Sequence, residues 1–102
     1  MPKARVKILA PAFNDIDRIA DYHLLAVGPI SAEKITGKLL DSIEKLGEYP
    51  LLGPEHSDSV LQNKGYRKLV CGEYICVYRL IDDTVYVYRV IHGTTDYPKL
   101  FR

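Results

Sequence analysis

Three arginines and a histidine in the last third of the chain are the side chains best suited to act on an anion. Arg67, Arg79 and Arg89 fall one on each of three consecutive apolar runs, Tyr66 to Cys71, Tyr74 to Ile81 and Val85 to His92, and His92 closes the last of them. A guanidinium fork meets phosphate or carboxylate through parallel hydrogen bonds. Imidazole titrates near neutral pH and can take a proton as a general base. Together such groups suit transphosphorylation of RNA, in which cations stabilise charge developing on phosphate. Asp96 and Tyr97 are the local acid partners for His92. The competing reading is structural: arginines lay their stems over a sheet and pair with carboxylates, and His92 caps the sheet edge.

The three runs read as strands, with Cys71-Gly72-Glu73 and Asp82-Asp83 as turn signals between them that make an antiparallel meander. With Asp82 and Asp83 at the turn tip, Arg79 lies opposite Tyr86 and Arg89 opposite Cys76. These two arginines then point to different faces, and the three do not share one site. Tyr66, Tyr74, Tyr78, Tyr86 and Tyr88 are dense in the same segment. Tyrosines among arginines can stack bases, and they also serve packing and partner contact.

Upstream, Arg5 to Leu9 alternates with Val6 and Ile8 on one face and reads as a first strand. Pro11 opens a helix at its first position. Phe13, Ile16, Ala20, Leu24 and Val27 form its apolar stripe until Gly28-Pro29. Ser31 is the expected N-cap of a second helix, with Ile30 and Ile35 as a hydrophobic staple. Ala32, Ile35, Leu39, Ile43 and Leu46 form the second stripe, which Gly47 and Pro50 end. Tyr49 to Lys64 has no periodicity and reads as a loop that can hold a short strand. The order is β-α-α-β-β-β, an α+β fold whose first strand joins the meander and whose helical hairpin covers one sheet face.

The 102 residues suit one domain, 1–102, and 47% hydrophobic with 26% charged residues is an ordinary globular composition. A net charge of +1 disfavours non-specific coating of nucleic acid. The charge is nonetheless uneven: Lys64, Arg67, Lys68 and Arg79 face only Glu73 between Asn63 and Arg79, whereas Glu48 to Asp58 is acidic. That pattern fits a protein partner. Cys71 and Cys76 carry no signal peptide, second pair or CxxC spacing and would not meet across the hairpin, so they are expected to be reduced. No apolar run reaches the roughly 20 residues that span a bilayer. The cytoplasm is the expected compartment, with no membrane partner. No P-loop, dinucleotide glycine pattern, HExxH or cysteine–histidine cluster occurs, so no cofactor and no metal is implied.

The pattern Gly65-Tyr66-Arg67 through Tyr78-Arg79, then Val85 to Val90 and His92-Gly93, resembles the RelE/ParE superfamily, the toxin halves of bacterial type II toxin–antitoxin pairs. The resemblance is closer to ParE. A strand closing with His92-Gly93, followed by Asp96, looks like the ParE ending, although Thr94 and Thr95 replace its usual basic residue. In RelE-type nucleases, lysines and arginines of the central strands and the C-terminal segment act on RNA. Here Arg67 matches one of them, but Leu69 and Ile75 stand where that group carries Lys and Arg. Thr95 and Phe101 replace its later arginine and its terminal tyrosine.

The resemblance implies a cognate antitoxin, encoded nearby, that wraps an extended or helical segment over the toxin. It also implies DNA gyrase as the target, met through a non-enzymatic surface for which Arg67, Lys68, His92, Asp96 and Tyr97 are the candidates. One alternative is a ribosome-dependent mRNA endonuclease that acts on the ribosome with its mRNA, with Arg67, Arg79, Arg89 and His92 as the available catalytic groups. Another is an inactive homologue that survives as a binding module. His23, beside the first helix's apolar stripe, and His56, in an acidic loop, are not assigned to a site.

Overall fold

In the computed structural model, which describes residues 3–101, the elements follow the order β1 (Arg5–Ile8), α1 (Ala10–Ala26), α2 (Pro29–Glu48), α3 (Ser59–Asn63), β2 (Arg67–Cys71), β3 (Tyr74–Ile81) and β4 (Thr84–His92). A 3-10 turn, Pro98–Phe101, follows. The strands lie in the order β1-β4-β3-β2. The expected α+β fold, with one strand and a helical hairpin before a three-stranded meander, is what forms.

The sheet is mixed rather than wholly antiparallel, because β1 pairs with β4 in parallel, Val6 opposite Val85 and Ile8 opposite Val87. The helical hairpin explains this. α2 ends beside the start of β1, where the Ala4 amide donates to the Gly47 carbonyl at 2.7 Å. The chain therefore enters β2 from the end at which β1 began, and two reversals of the meander return β4 to β1's direction. Both reversals are two-residue turns that use the left-handed region, at Gly72 (φ 61°) and Asp82 (φ 56°).

The helices bury less of the expected stripes on α1 than on α2. α2 contributes Leu39, Ile43 and Leu46 to the core, as their spacing predicts. On α1 the inward residues are Ala12, Asp15 and Ile16, with Ile19 half-buried, whereas Phe13, Leu24 and Val27 are exposed. Periodicity finds an apolar face but does not say which face meets the sheet, and α1 carries two. The connection is also shorter than expected. α2 begins at Pro29 with Gly28 (φ 142°) as its N-cap. Ser31 consequently lies inside the first turn, and Ile30 is exposed rather than stapled.

The opposite sheet face is covered as well. Leu61, Tyr66, Val77, Ile91 and Tyr97 form a second buried cluster there, with Ile75, Tyr88 and Phe101 packed against it. α3 and the segment after β4 supply its cover. The expected loop thus contains a helix, capped by the Asp58 carboxylate, which accepts the amides of Val60 and Leu61 at 3.0 and 3.1 Å. Its strand-like part is one bridge, Glu55 to Arg67.

Candidate functional site: a meander of separately engaged cations and an uncovered hairpin

The strands carry the candidate cations to different places. Arg67, at the start of β2, turns along the sheet edge and donates from Nε to the Gly53 carbonyl at 2.7 Å. Lys68, beside it, reaches the Ser57 hydroxyl at 3.1 Å. Arg79 leaves the face away from the helices and lies against two rings, its Cζ 4.8 Å from the Tyr66 centroid and 5.0 Å from that of Tyr88. It donates to the Tyr88 hydroxyl and to the Lys64 carbonyl.

Arg89 does not lie opposite Cys76. A bulge at Val77/Tyr78 shifts the pairing, so Arg89 faces Val77 and Cys76 faces Val90. Arg89 nevertheless reaches α1, as its parity with Val85 and Val87 on β4 predicts, and makes a two-pronged ion pair with Asp15 at 2.7 and 2.9 Å. The same carboxylate accepts the Val90 amide at 2.9 Å. This hydrogen-bonded partner raises the Arg89 pKa. As expected, Arg79 and Arg89 occupy different faces, and all three arginines have structural partners.

His92 ends β4 with its ring half-exposed. Its partners are Thr94, whose hydroxyl is 2.8 Å from Nδ1, and Glu73, whose carboxylate is 4.0 Å from Nε2. Neither Asp96 nor Tyr97 fills the expected acid role. Asp96 pairs with Lys99 at the surface (3.2 Å). Tyr97 is turned inward, 5% exposed, with its hydroxyl 2.6 Å from His56 Nε2. As a target-contact candidate Tyr97 is thus covered, while Arg67, Lys68, His92 and Asp96 keep surface.

Three of the four positions that depart from the RelE pattern are occupied by packing residues, and the fourth, Thr95, is exposed. Leu69 lies against the helix-side core, Ile75 against the second cluster, and the Phe101 ring meets Tyr66 at 5.0 Å. Cys71 and Cys76 are buried and unlinked, and burial raises both thiol pKa values. They are not reactive groups.

Two histidines left unassigned by the sequence are structural junctions. His23 of α1 sits 3.0 Å from the Ser31 hydroxyl and 3.1 Å from that of Tyr74, tying α1, α2 and β3 together. Nothing in the sequence signals a contact across 51 positions. His56 is 3% exposed, and for it a signal existed: Asp58 before Ser59-Val60-Leu61 is a readable N-cap, which makes the preceding loop a structured one.

Apolar surface is left uncovered at the tip of the helical hairpin, where Tyr22, Leu25, Val27 and Ile30 are 65 to 86% exposed. Beside it is a groove of about 610 Å³ floored by Ile35 and flanked by Lys34 and Lys38. No helix among the described residues is long and apolar enough to cross a membrane, and no group of histidines, cysteines and carboxylates among them could hold a metal ion.

A mixed sheet covered by a helical hairpin agrees with the RelE/ParE resemblance of the sequence. Residues 6–97 match the ParE toxin of the type II toxin–antitoxin system parDE, and the chain belongs to that family. Among solved structures it is similar to a chain of the chromosomal ParDE toxin–antitoxin system from P. aeruginosa. The TM-score is 0.76 at 20% identity over 88% of this chain and 96% of that one. It is also similar to a chain of the RelBE2 toxin–antitoxin complex from Mycobacterium tuberculosis. Here the TM-score is 0.65 at 21% identity over 88% and 98% of the two chains. At these identities the likeness concerns the fold. A search of curated proteins finds no match.

Proposed function

We propose that this chain is the growth-inhibiting half of a two-protein module, held inactive in the cytoplasm by a cognate antitoxin, and that the free toxin inhibits DNA gyrase by binding it. The observation that carries the binding reading is the separate engagement of the cations. Arg67, Arg79 and Arg89 each serve a loop, a pair of rings or a buried carboxylate, and His92 lies with Thr94 and Glu73. An RNA-cleaving site needs such groups around one phosphate. Membership of the ParE family supports gyrase as the target. Arg67, Lys68, His92 and Asp96 are the proposed target-facing residues, while Tyr97 lies buried beside His56.

The exposed hairpin tip is the proposed antitoxin dock. An amphipathic helix with apolar residues for Leu25, Val27 and Ile30, and acidic ones for Lys34 and Lys38, fits its surface. Leu25 is 86% exposed, so Leu25→Asp leaves the fold unaffected while placing a charge in the contact. Antitoxin affinity, measured by titration calorimetry, is expected to fall by about 10- to 100-fold, the usual effect of spoiling an apolar anchor. An unchanged affinity would remove the hairpin as the dock.

The target is tested by inducing the chain without antitoxin and pulse-labelling DNA and protein synthesis in parallel. Gyrase inhibition stops DNA synthesis first and leaves broken chromosomes. If translation stops first and messages are cleaved, the endonuclease reading replaces it; Arg67→Ala and His92→Ala then report whether those side chains take part.

A further inference from the structure

The second core is closed by a strap. After β4 the chain turns at His92-Gly93 and crosses the sheet face opposite the helices. Tyr97 is buried there, and Phe101 lies against Tyr66. At the end of the strap the Lys64 ammonium donates to the Phe101 carbonyl at 3.0 Å. The Tyr97 hydroxyl, the strap's only buried polar side-chain group among the described residues, meets His56 Nε2 at 2.6 Å. His56 is itself buried in the turn before α3.

The ring's other nitrogen fixes how this contact can respond to protons. His56 Nδ1 lies 3.0 Å from the Asp58 amide, and a backbone N–H can only donate. Nδ1 must therefore be the bare, accepting nitrogen, and Nε2 carries the hydrogen toward Tyr97. A proton added at Nδ1 would set two donors against each other, and the nearby Asp58 carboxylate, which favours the proton, is already turned to the Val60 and Leu61 amides. His23 differs: its two nitrogens meet the hydroxyls of Ser31 and Tyr74, which can accept as well as donate. His92 stands at the surface, where water can compensate.

The charged and titratable groups around His56 come from each neighbouring element. Lys68 of β2 opposes its protonation, Asp58 at the α3 N-cap favours it, and Tyr97 faces it from the strap. Glu55 points away to Gln62 at 2.9 Å. Burial is the largest influence and, with Lys68, outweighs Asp58, so the imidazole pKa lies below its ordinary 6.5.

We infer that His56 and Tyr97 form a proton-released latch: protonation of His56 at Nδ1 frees the strap and uncovers the apolar sheet face formed by Val77, Ile91 and Ile75. The sign follows from linkage. With the strap closed, His56 resists the proton; with it open, the ring titrates at its ordinary value. The contribution of His56 to closure is thus fully present above pH 6.5 and is lost progressively as pH falls below it. The strap's opening constant should rise about tenfold for each pH unit below that value, until the closed form itself protonates.

Residue-resolved hydrogen exchange on the full chain, from about pH 7.5 to about pH 5.5 with the intrinsic pH dependence divided out, tests this directly. The expected result is growing exposure of the Tyr97 and Leu100 amides, which are bonded to Thr95 and Tyr97 carbonyls, while β3 and β4 stay protected. His56→Asn offers the Asp58 amide an acceptor that takes no proton, so its strap exchange should not vary with pH. Strap exchange that is flat in the unmodified chain, or that has the same pH dependence in His56→Asn, would overturn the latch. Should His56→Asn fail to fold, the imidazole carbon shifts of the unmodified chain decide. Titration below 6.5 in step with strap exposure supports the latch, and titration at 6.5 or above without strap movement refutes it.

Discussion

Asp15→Ala should lower the stability of the fold by about 2–4 kcal/mol, because one buried carboxylate serves two partners that cannot replace it. Asp15 is 6% exposed on α1, and its oxygens take two hydrogen bonds from Arg89 and one from the Val90 amide. Alanine would leave the Val90 N–H without a partner inside the core and Arg89 without its counter-ion. Arg89 keeps some contact with water, its side chain being 26% exposed, which holds the loss below that of a fully enclosed pair. Asp15→Asn retains an acceptor for Val90 and should lose about half as much. Urea unfolding checks both: the midpoint should fall with an unchanged slope. A loss within about 0.5 kcal/mol for Asp15→Ala, the range of an ordinary surface change, would mean that the pair does not join α1 to β4.

Gly53→Ala should have a comparable effect for a steric reason. A Cβ on Gly53 would sit 2.6 Å from the Lys68 carbonyl oxygen and 2.9 Å from the Tyr78 ring, and the first of these is backbone that cannot swing away. The loop would have to lift off the β2 edge. With it would go the Arg67 bond to the Gly53 carbonyl and the bond from the Gly53 amide to the Tyr78 hydroxyl. Overpacking of this kind costs about 2–3 kcal/mol. Tyr78→Phe isolates the polar part: its hydroxyl, fully buried, also donates to the Pro50 carbonyl at 2.9 Å, and its loss should cost about 1–2 kcal/mol. Thermal unfolding of the two variants should rank Gly53→Ala as the less stable. The reverse order would place the strength of this corner in the hydroxyl rather than in close packing.

Much of this fold is legible in the residues. Strand-forming runs and the turn signals between them fix β2 to β4, and the spacing of Leu39, Ile43 and Leu46 fixes the face of α2. What was not legible has physical causes. α1 has two apolar faces, one spent on the sheet through Ala12 and Ile16 and one left uncovered through Leu24, Val27 and their neighbours; burial distinguishes them, and hydropathy does not. The register of Arg89 is displaced by a bulge that no turn residue announces. Parallel pairing of β1 depends on where α2 ends, a property of helix length and direction rather than of β1's own residues.

The candidate site divides in the same way. That Arg79 and Arg89 face apart follows from strand parity. That Tyr97 turns inward depends on His56, which is 41 positions away in the chain. Side chains that suit phosphate chemistry by type are, in this protein, mostly engaged in joining elements. The uncovered surface is instead the apolar end of the hairpin.

The most direct test of the central claim is growth after induction of this chain alone and together with the proposed cognate antitoxin. Arrest is expected with the chain alone, normal growth with both, and a complex of the two that survives purification. Normal growth with the chain alone, and no complex with the antitoxin, would contradict a toxin held by its partner.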